Sequence, residues 1–379
     1  MHPSSLLSYY PTYSLLDEIL SYGEYEQLNL YIDLKNCFQT LYQEHAIVNI
    51  IENSLSSNYM ESSILLSFLS FLSFHKLYAV KRDVNINFYV FFESGQSYYH
   101  KNISKKYKIS RRIDDLYGLP VDKRDVFHET VSRNYNAIEK ICNLIPNIKV
   151  IRLKNFEADF IPYYLISRKL TSVSNDTAHL VYSNDHDLMQ TLTAGKNIYI
   201  FQKVPRCKRI VRCGEVMKRE LKRETSLGDE YLPLAMSVIG DGGDDVDGVK
   251  GIAGKRFLDI SDDLVKLIGN MDLLYNNVMS GEKIFDIKKI QVSNKYLKMV
   301  LNEEEQNNTI SKNLKLVSFE LISRFFDSPT NTEILGRRNE LFELMNNNRI
   351  AQKDKIVEAL RRGNVFIGEE VDILYHGYE

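Results

Sequence analysis

Eight acidic side chains follow predicted strands or lie in a glycine-rich segment, where they could bind metal ions. They are Asp33, Glu93, Glu157, Asp159, Asp185, Asp187, Asp241 and Asp244. Carboxylates crowded at one place repel one another and raise each other's pKa unless cations neutralise them. Oxygen ligands of this kind suit Mg²⁺ or Mn²⁺, and no cluster of His and Cys in the sequence competes for the role. Two such ions about 4 Å apart are a common device for phosphodiester hydrolysis, because one activates water and the other stabilises the leaving oxygen.

For each acid taken singly, a helix or turn cap is the simpler interpretation, but the set follows a pattern of strand ends. Apolar runs rich in β-branched and aromatic residues predict five strands: Leu28–Asp33, Ile86–Glu93, Lys149–Leu153, His179–Ser183 and Asn197–Gln202. They alternate with helical segments such as Ser62–Phe74, which predicts an α/β fold with a mostly parallel central sheet flanked by helices. Carboxyl ends of neighbouring parallel strands share one edge, where ligands bind, so the acids are expected to converge there.

Length and composition are those of a globular protein. The chain has 379 residues, of which 44% are hydrophobic and 26% charged, and its formal net charge is −2. This is enough chain for one large domain or two modest ones, and it excludes collagen-like, low-complexity and wholly disordered classes. Four Cys residues in a chain of this length do not make a disulfide scaffold.

The most apolar stretch is too short to predict a membrane span. Ser62–Phe74 has 13 residues without a charge, whereas a span needs about 20. Ser67, Ser70 and Ser73 give it a polar stripe, so we expect a buried helix. The N-terminus lacks the basic flank and cleavage-site pattern of a signal peptide. We therefore expect a protein of a reducing cytoplasm that has no membrane partner.

The segment that follows Glu93 has the composition of a surface that contacts nucleic acid. Basic residues and tyrosines alternate in it without an acid: Tyr98, Tyr99, Lys101, Lys105, Lys106, Tyr107, Lys108, Arg111 and Arg112. Such a surface can meet phosphates and stack bases. Because the segment directly follows a candidate metal ligand, a function is favoured over a solvated face. For a second basic cluster, from Lys203 to Arg223, the two interpretations are equally good.

A glycine-rich turn precedes the predicted helix that begins at Arg256. Gly248, Gly251 and Gly254 would let backbone N–H groups approach a phosphate, and the helix N-terminus adds a favourable field. The turn is not a Walker A loop, because Lys255 is followed by Arg256 instead of Ser or Thr. Taken alone, it is equally well explained as a loop that starts a helix.

In this order, these segments resemble the 5′-nuclease superfamily of flap endonucleases, polymerase 5′-nuclease domains, and bacteriophage 5′→3′ exonucleases and RNase H enzymes. The resemblance covers about residues 28 to 325. Its segments are Tyr31–Asp33, Phe92–Arg111, Phe156–Asp159, Ser183–Gln190, Ile239–Ile252 and Lys312–Val317. It implies a PIN-like nuclease core over 28–245 with an arch insertion at about 94–148, and a helix–turn–helix DNA clamp with further helices over 246–330. Residues 1–27 would form an N-terminal extension and 331–379 a helical tail.

The resemblance also implies an activity and its participants. The expected enzyme is a divalent-metal-dependent 5′→3′ exonuclease and 5′ flap endonuclease of replication, which holds two Mg²⁺ ions, or Mn²⁺, on the eight acids. Lys108 and Arg111 would steer the scissile phosphate. The substrate would be branched or 5′-ended duplex DNA, or an RNA–DNA hybrid, with K⁺ as a further candidate cation at the clamp. The implied DNA-binding residues are Lys101, Lys105, Lys106, Tyr107, Arg112, Gly248, Lys250, Gly251, Gly254, Lys255 and Arg256.

Several positions depart from the family pattern without removing a core ligand. Glu93 stands where the family usually has Asp, and Phe160 where many members have a further Asp. His100, Ala253, Asp245 and Asp247 replace a usual Arg, Gly, Asn and Pro. We expect an active, monomeric enzyme with a changed metal optimum.

Two alternatives and one question stay open at this point. A catalytically silent DNA-junction-binding protein on the same fold is the alternative from another class, and a single-domain ribonuclease is the alternative within enzymes. The tail, which contains Arg337 and Arg338, either docks a replication partner or completes the helical domain.

Overall fold

The structure is a computed structural model. It describes residues 13–35, 37, 57–92, 97–108, 121–172, 174–204, 207–285, 293–302, 309–328 and 332–346, together with the single positions 354, 355, 358 and 374.

A six-stranded sheet forms the centre of the molecule, in the order β3-β2-β1-β4-β5-β6. Its strands are β1 (Gln27–Asp33), β2 (Asn85–Phe91), β3 (Ile148–Ile151), β4 (Thr177–Tyr182), β5 (Ile198–Val204) and β6 (Cys207–Arg212). The first five pair in parallel, and β6 pairs antiparallel with β5. The mostly parallel α/β fold expected from the sequence is therefore confirmed.

Helices flank both faces of this sheet. They are α1 (Tyr13–Ser21), α2 (Ser57–Val80), α3 (Tyr98–Ile103), α4 (Val121–Cys142), α5 (Ile161–Ser167), α6 (Val216–Glu220), α7 (Leu232–Ile239), α8 (Gly254–Ile268), α9 (Met271–Ser280), α10 (Lys295–Val300), α11 (Ser311–Val317), α12 (Phe319–Asp327) and α13 (Thr332–Asn346). A short hairpin of β7 (Gly240–Asp241) and β8 (Val246–Asp247) lies between α7 and α8.

One face of the sheet is covered by α1, α2 and α4. Phe68 and Phe71 of α2 are buried in one cluster with Phe88 of β2 and Ile138 of α4. The predicted buried helix at Ser62–Phe74 lies inside α2, and among the described residues no helix combines the length and apolar character that crossing a bilayer requires. Helix α4 packs against α2 and β3, so the second half of the predicted arch insertion belongs to the layer that covers the sheet.

The opposite face is covered by α5 and the C-terminal helices. Side chains alternate along β1, so that Leu30 and Ile32 enter the first cluster while Tyr31 enters the second. The second cluster continues from Tyr31 through Phe160 to Phe326 of α12. The C-terminal helices therefore share one core with the sheet, and this joins them to the ends of its strands.

Helix α13 packs against the edge strand β3. The Lys149 ammonium of β3 donates to the carbonyls of Leu344 and Met345, at 3.2 and 2.5 Å, in the last turn of α13. A cation at this end of a helix satisfies carbonyls that have no partner within the helix. The first part of the C-terminal tail thus completes the helical layer.

Candidate functional site

Three of the predicted acids are joined by hydrogen bonds at the carboxyl ends of β1 and β4. The Ser183 hydroxyl donates to Asp33 Oδ2 at 3.1 Å and accepts from the backbone N–H of Asp185 at 3.0 Å. Asp185 Oδ1 in turn accepts from the backbone N–H of Asp187 at 3.0 Å. Asp33 ends β1 and Asp185 follows β4, its direct neighbour, so the parallel register places these carboxylates at one edge.

The tightest group of carboxylates combines this edge with the hairpin. One oxygen each of Asp187, Asp241 and Asp244 lies within 4.8 Å of the other two. The hairpin that carries Asp241 and Asp244 is closed tightly, because a Cβ on Gly248 would lie 2.1 Å from the Ile239 carbonyl oxygen. These three residues present only oxygen donors, which fits a hard divalent cation.

A lysine bridges the hairpin to the acids that follow β3. Lys108 Nζ lies 2.9 Å from Glu157 Oε2 and 3.2 Å from Asp244 Oδ2. The Tyr107 hydroxyl lies between the same two carboxylates, at 3.2 Å from Glu157 and 2.7 Å from Asp244. The backbone N–H of Lys108 also donates to the Asp244 carbonyl at 3.1 Å. Residues 107 and 108 are thereby held against the acidic edge.

Both like and opposite charges act on the carboxyl groups of this site. Burial, followed by the charges of Asp185, Asp244 and Asp241, holds the pKa of Asp187 well above its usual value. Burial alone would lower the pKa of the Lys108 ammonium, but Glu157, Asp159 and Asp244 raise it above its ordinary value. Burial would raise the pKa of Glu157, yet His100 and Lys108 bring it below the usual one. Lys108 thus compensates Glu157, whereas the carboxylates around Asp187 repel one another.

Phe160 lies next to this site, but its side chain packs among the aromatic residues of the core. Its ring packs against Phe156, Tyr164 and Phe326 with centroid distances of 6.3, 5.9 and 5.5 Å. Only 2% of its surface is exposed. The neighbouring Asp159 is buried and raises the pKa of Lys108. A core aromatic side chain that ties α5 to α12 therefore stands where the sequence resemblance would place a further carboxylate.

No protein-family model matches the sequence, and no curated protein matches it. Solved structures do match. The bacteriophage T5 5′-exonuclease with bound zinc superposes with a TM-score of 0.54 at 17% identity, over 84% of this chain and 99% of that one. The bacteriophage T5 flap endonuclease, in a pseudo-enzyme–product complex with DNA and metal ions, superposes with a TM-score of 0.54 at 15% identity, over 84% and 100%.

The chain shares the fold of these bacteriophage T5 structures. Within this fold, seven of the eight predicted acids lie in described segments: Asp33, Glu157, Asp159, Asp185, Asp187, Asp241 and Asp244. Glu93, Arg111 and Arg112 lie outside the described residues.

The predicted DNA-binding residues lie in two places. Lys101, Lys105 and Lys106 are exposed near α3. Tyr107, in contrast, stacks on the ring of His100 at 4.5 Å and turns its hydroxyl to the carboxylates. This placement favours the interpretation that Tyr107 positions the acids, rather than the predicted one that it contacts bases.

The second place is the glycine turn before α8. Gly251 has a φ of +84°, which favours glycine, and its carbonyl accepts from the Arg256 guanidinium. Lys250, Lys255 and Arg256 are exposed around this turn. Helix α10 lies beside it, and the guanidinium of Arg256 stacks over the ring of Tyr296 at 5.1 Å.

Sequence reasoning missed the basic residues on α10. Lys295 and Lys298 are exposed there, next to the turn. They are separated from the glycines by about forty residues of chain, so only the contact between α8 and α10 reveals the surface they share.

The second basic cluster makes structural contacts at two of its members. Arg209 donates twice to Gln202 Oε1 across β5 and β6, at 3.1 and 2.7 Å. Arg212 lies over the ring of Tyr22 at 4.5 Å. These contacts favour a structural interpretation at this edge of the sheet.

Proposed function

We propose that the chain is a divalent-metal-dependent 5′-nuclease that cuts branched or 5′-ended duplex DNA, both as a 5′→3′ exonuclease and as a flap endonuclease. The observation that carries the proposal is the group of Asp187, Asp241 and Asp244 with the charge of Lys108 beside it. The fold, which is also that of metal-binding nucleases from bacteriophage T5, supports the same activity.

Asp187, Asp241 and Asp244 would hold one divalent ion, and Asp33, Asp185, Glu157 and Asp159 would take part in a second site. When bound, such ions activate water and stabilise the leaving oxygen of a phosphodiester. We take Mg²⁺ as the ion and Mn²⁺ as its substitute. K⁺ at the glycine turn is a further prediction.

Lys108 would act directly on the substrate in this mechanism. Its ammonium stays protonated because Glu157, Asp159 and Asp244 raise its pKa. The charged ammonium would donate to the non-bridging oxygen of the scissile phosphate, where negative charge develops. Arg111 is proposed for the same task. A 5′-phosphate and a 3′-hydroxyl would be the products.

The duplex would lie against the glycine turn and α10. Lys250, Lys255, Lys295 and Lys298 form an exposed basic surface there, which would contact the phosphate backbone without reading sequence. The same phosphate backbone would also contact the other predicted binding residues: Gly248, Gly254, Lys101, Lys105 and Lys106. The proposal also includes RNA–DNA hybrids as substrates, a monomeric state, a cytoplasmic setting and replication proteins as partners of the C-terminal tail, residues 331–379.

One observation favours the second candidate, a DNA-junction-binding protein without turnover. Phe160 is committed to the core, so this site has one carboxylate fewer than many family members. Both candidates predict DNA binding that weakens steeply with salt, and only the nuclease predicts metal-dependent cleavage.

The substitution Asp185→Asn separates binding from chemistry. The amide keeps the shape of the side chain and its place after β4 but removes one charge from the acidic edge. We expect cleavage of a 5′-flap duplex to be abolished and binding of the same duplex, measured by fluorescence anisotropy in the presence of chelator, to be retained. Substantial residual cleavage would contradict the metal assignment.

A further inference from the structure

Two acid-bearing parts of the site and the end of α3 share one neighbour in the C-terminal region. It is the segment Asn313–Phe319, which runs from α11 into α12 and which we name the clasp. Its contacts to the site are made by buried polar side chains and backbone groups rather than by apolar packing alone. They reach the hairpin, the segment after β4 and the end of α3.

The first contact holds the hairpin that carries Asp241 and Asp244. Asn313 is 4% exposed, and its side-chain amide donates to two carbonyls. One belongs to Ser237 in α7, at 2.9 Å, and the other to Asp247 in β8, at 2.7 Å. Since these carbonyls lie on either side of the hairpin, one amide fixes both its entry and its exit.

The second contact holds the segment that carries Asp187. A 3₁₀-helix begins at Asp187, and the side chain of Gln190 in its first turn is 3% exposed. Gln190 Nε2 donates to the Val317 carbonyl at 2.8 Å, and its Oε1 accepts from the Phe319 backbone N–H at 3.0 Å. Both ends of this amide are therefore used by the clasp.

The third contact reaches Glu157 and Asp244 through two rings. His100 Nε2 donates to the Leu316 carbonyl at 3.0 Å, which places a proton on Nε2 because a carbonyl can only accept. The imidazole stacks on Tyr107 with an interplanar angle of 10°, and the Tyr107 hydroxyl lies within hydrogen-bond distance of both carboxylates.

We propose that the clasp is a positioning element of the metal site, and that Asn313, Gln190 and His100 are positioning residues that set the distances between its carboxylates. The proposal rests on the metal site of the proposed function. Carboxylates within 4.8 Å of one another repel, so they stay close before a cation binds only if the backbone segments that carry them are held. The clasp holds the hairpin and the segment after β4 by buried hydrogen bonds, where a lost partner is costly to replace, and it reaches Glu157 through His100 and Tyr107.

The test is calorimetric titration of Mn²⁺ into the metal-free protein, comparing wild type with Asn313→Ala. Loss of a residue that orients metal ligands typically weakens metal binding about 10- to 100-fold. We expect a loss in this range for Asn313→Ala. The matched control is Asn147→Ala, because Asn147 is also a buried asparagine, 4% exposed, that donates to a carbonyl, that of Ile86, at the opposite end of the sheet. The control is expected to lower Tm and leave the Kd for Mn²⁺ unchanged.

A second variant covers the case in which Asn313→Ala does not fold. Gln190→Met keeps the side-chain volume and removes both hydrogen bonds to the clasp, and the same weakening of Mn²⁺ binding is expected. If the folded variant binds Mn²⁺ as tightly as wild type, or if Asn147→Ala weakens binding equally, the clasp is merely structural and the proposal is wrong. If wild type itself does not bind Mn²⁺, the metal site of the proposed function fails instead.

Discussion

The two ends of the central sheet both bury polar side chains, but they satisfy them in different ways. At the amino end, the Asn29 side-chain oxygen accepts from Gln27 at 2.8 Å and from Asn87 at 3.3 Å, and its amide donates to the Ser172 carbonyl at 3.3 Å. These groups are neutral. At the carboxyl end, Asp187, Asp241 and Asp244 bring like charges together, with the Lys108 ammonium beside them.

Histidine illustrates the same contrast. His179, at the amino end, contacts the Tyr31 hydroxyl at 3.0 Å, and burial lowers its pKa to about 4, so it stays neutral. The buried polar side chains named at this end are thus neutral, whereas carboxylates meet at the other end. Like-charged side chains held together with perturbed pKa values are common at functional sites, so the carboxyl end is the candidate functional site.

The largest expected effect tests whether position 160 belongs to the acidic carboxyl end of the sheet or to the hydrophobic core. Phe160→Asp introduces the carboxylate that the sequence resemblance would place there, but it removes a buried ring and places a charge among Phe156, Tyr164 and Phe326. We expect a loss of about 4 kcal/mol in the free energy of unfolding, measured by urea denaturation. Phe160→Leu, the control, should lose about 1 kcal/mol. A stable Phe160→Asp protein that binds Mn²⁺ more tightly than wild type would show that this position belongs to the metal site.

The next effect concerns the cation that balances the acidic end. Lys108→Met removes the ammonium that contacts the buried carboxylates of Glu157 and Asp244, so we expect the metal-free protein to lose about 3 kcal/mol of stability. Added Mg²⁺ should recover part of the loss, because it supplies positive charge to the same carboxylates. Lys105→Met, at an exposed position, should change stability by less than about 0.5 kcal/mol. If Lys108→Met lost the same stability with and without Mg²⁺, the ammonium and the metal ion would not act on the same carboxylates.

At the amino end, the corresponding substitution has a smaller effect that does not depend on metal. Asn29→Ala removes hydrogen bonds to Gln27, Asn87 and Ser172, of which the first two side chains are partly exposed and can turn to water. We expect a loss of about 2 kcal/mol in urea denaturation, identical in Mg²⁺ and in chelator. A metal-dependent loss would contradict the division between the two ends.

The last effect is a change in pH dependence. The pKa of Asp187 is raised in the folded state, so in chelator its charge costs stability as the pH rises above about 3.9, the unfolded value. Asp187→Asn removes this cost, and the Tm of wild type should fall relative to that of the variant between pH 4 and pH 7. His179 acts in the opposite sense, because its lowered pKa costs stability as the pH falls from about 6.5 toward 4. Parallel Tm profiles for wild type and Asp187→Asn would contradict the claim that burial and neighbouring carboxylates disfavour the charge on Asp187.

Much of the fold followed from the sequence because the parallel strands are continuous apolar runs. The strand predicted at Leu28–Asp33 is observed at Gln27–Asp33, and the one predicted at His179–Ser183 is observed at Thr177–Tyr182. Strand β6 was missed because its Lys and Arg residues read as a charged surface, although Ile210 and Val211 are buried. The two-residue strands of the hairpin are too short to show any periodicity.

The site was predictable to the extent that it depends on strand ends. The convergence of acids follows from the parallel arrangement, and the structure brings Asp187 to Asp241 and Asp244. Asn313 and Gln190 could not be found in this way, since a single amide within an apolar segment has no pattern. Their function depends on backbone carbonyls that only the folded chain brings within reach. The aromatic partners of Phe160 on α12 were hidden for the same reason.

The most direct test of the account is cleavage of a 5′-labelled flap duplex by the purified protein in Mg²⁺, in Mn²⁺ and in chelator. We expect cutting near the junction with either ion and none in chelator, because the carboxylates at the end of the sheet need the cation to act on a phosphate. Tight binding of the flap without cutting under any ion would contradict the account, and would mean that the 5′-nuclease fold serves here to bind junctions.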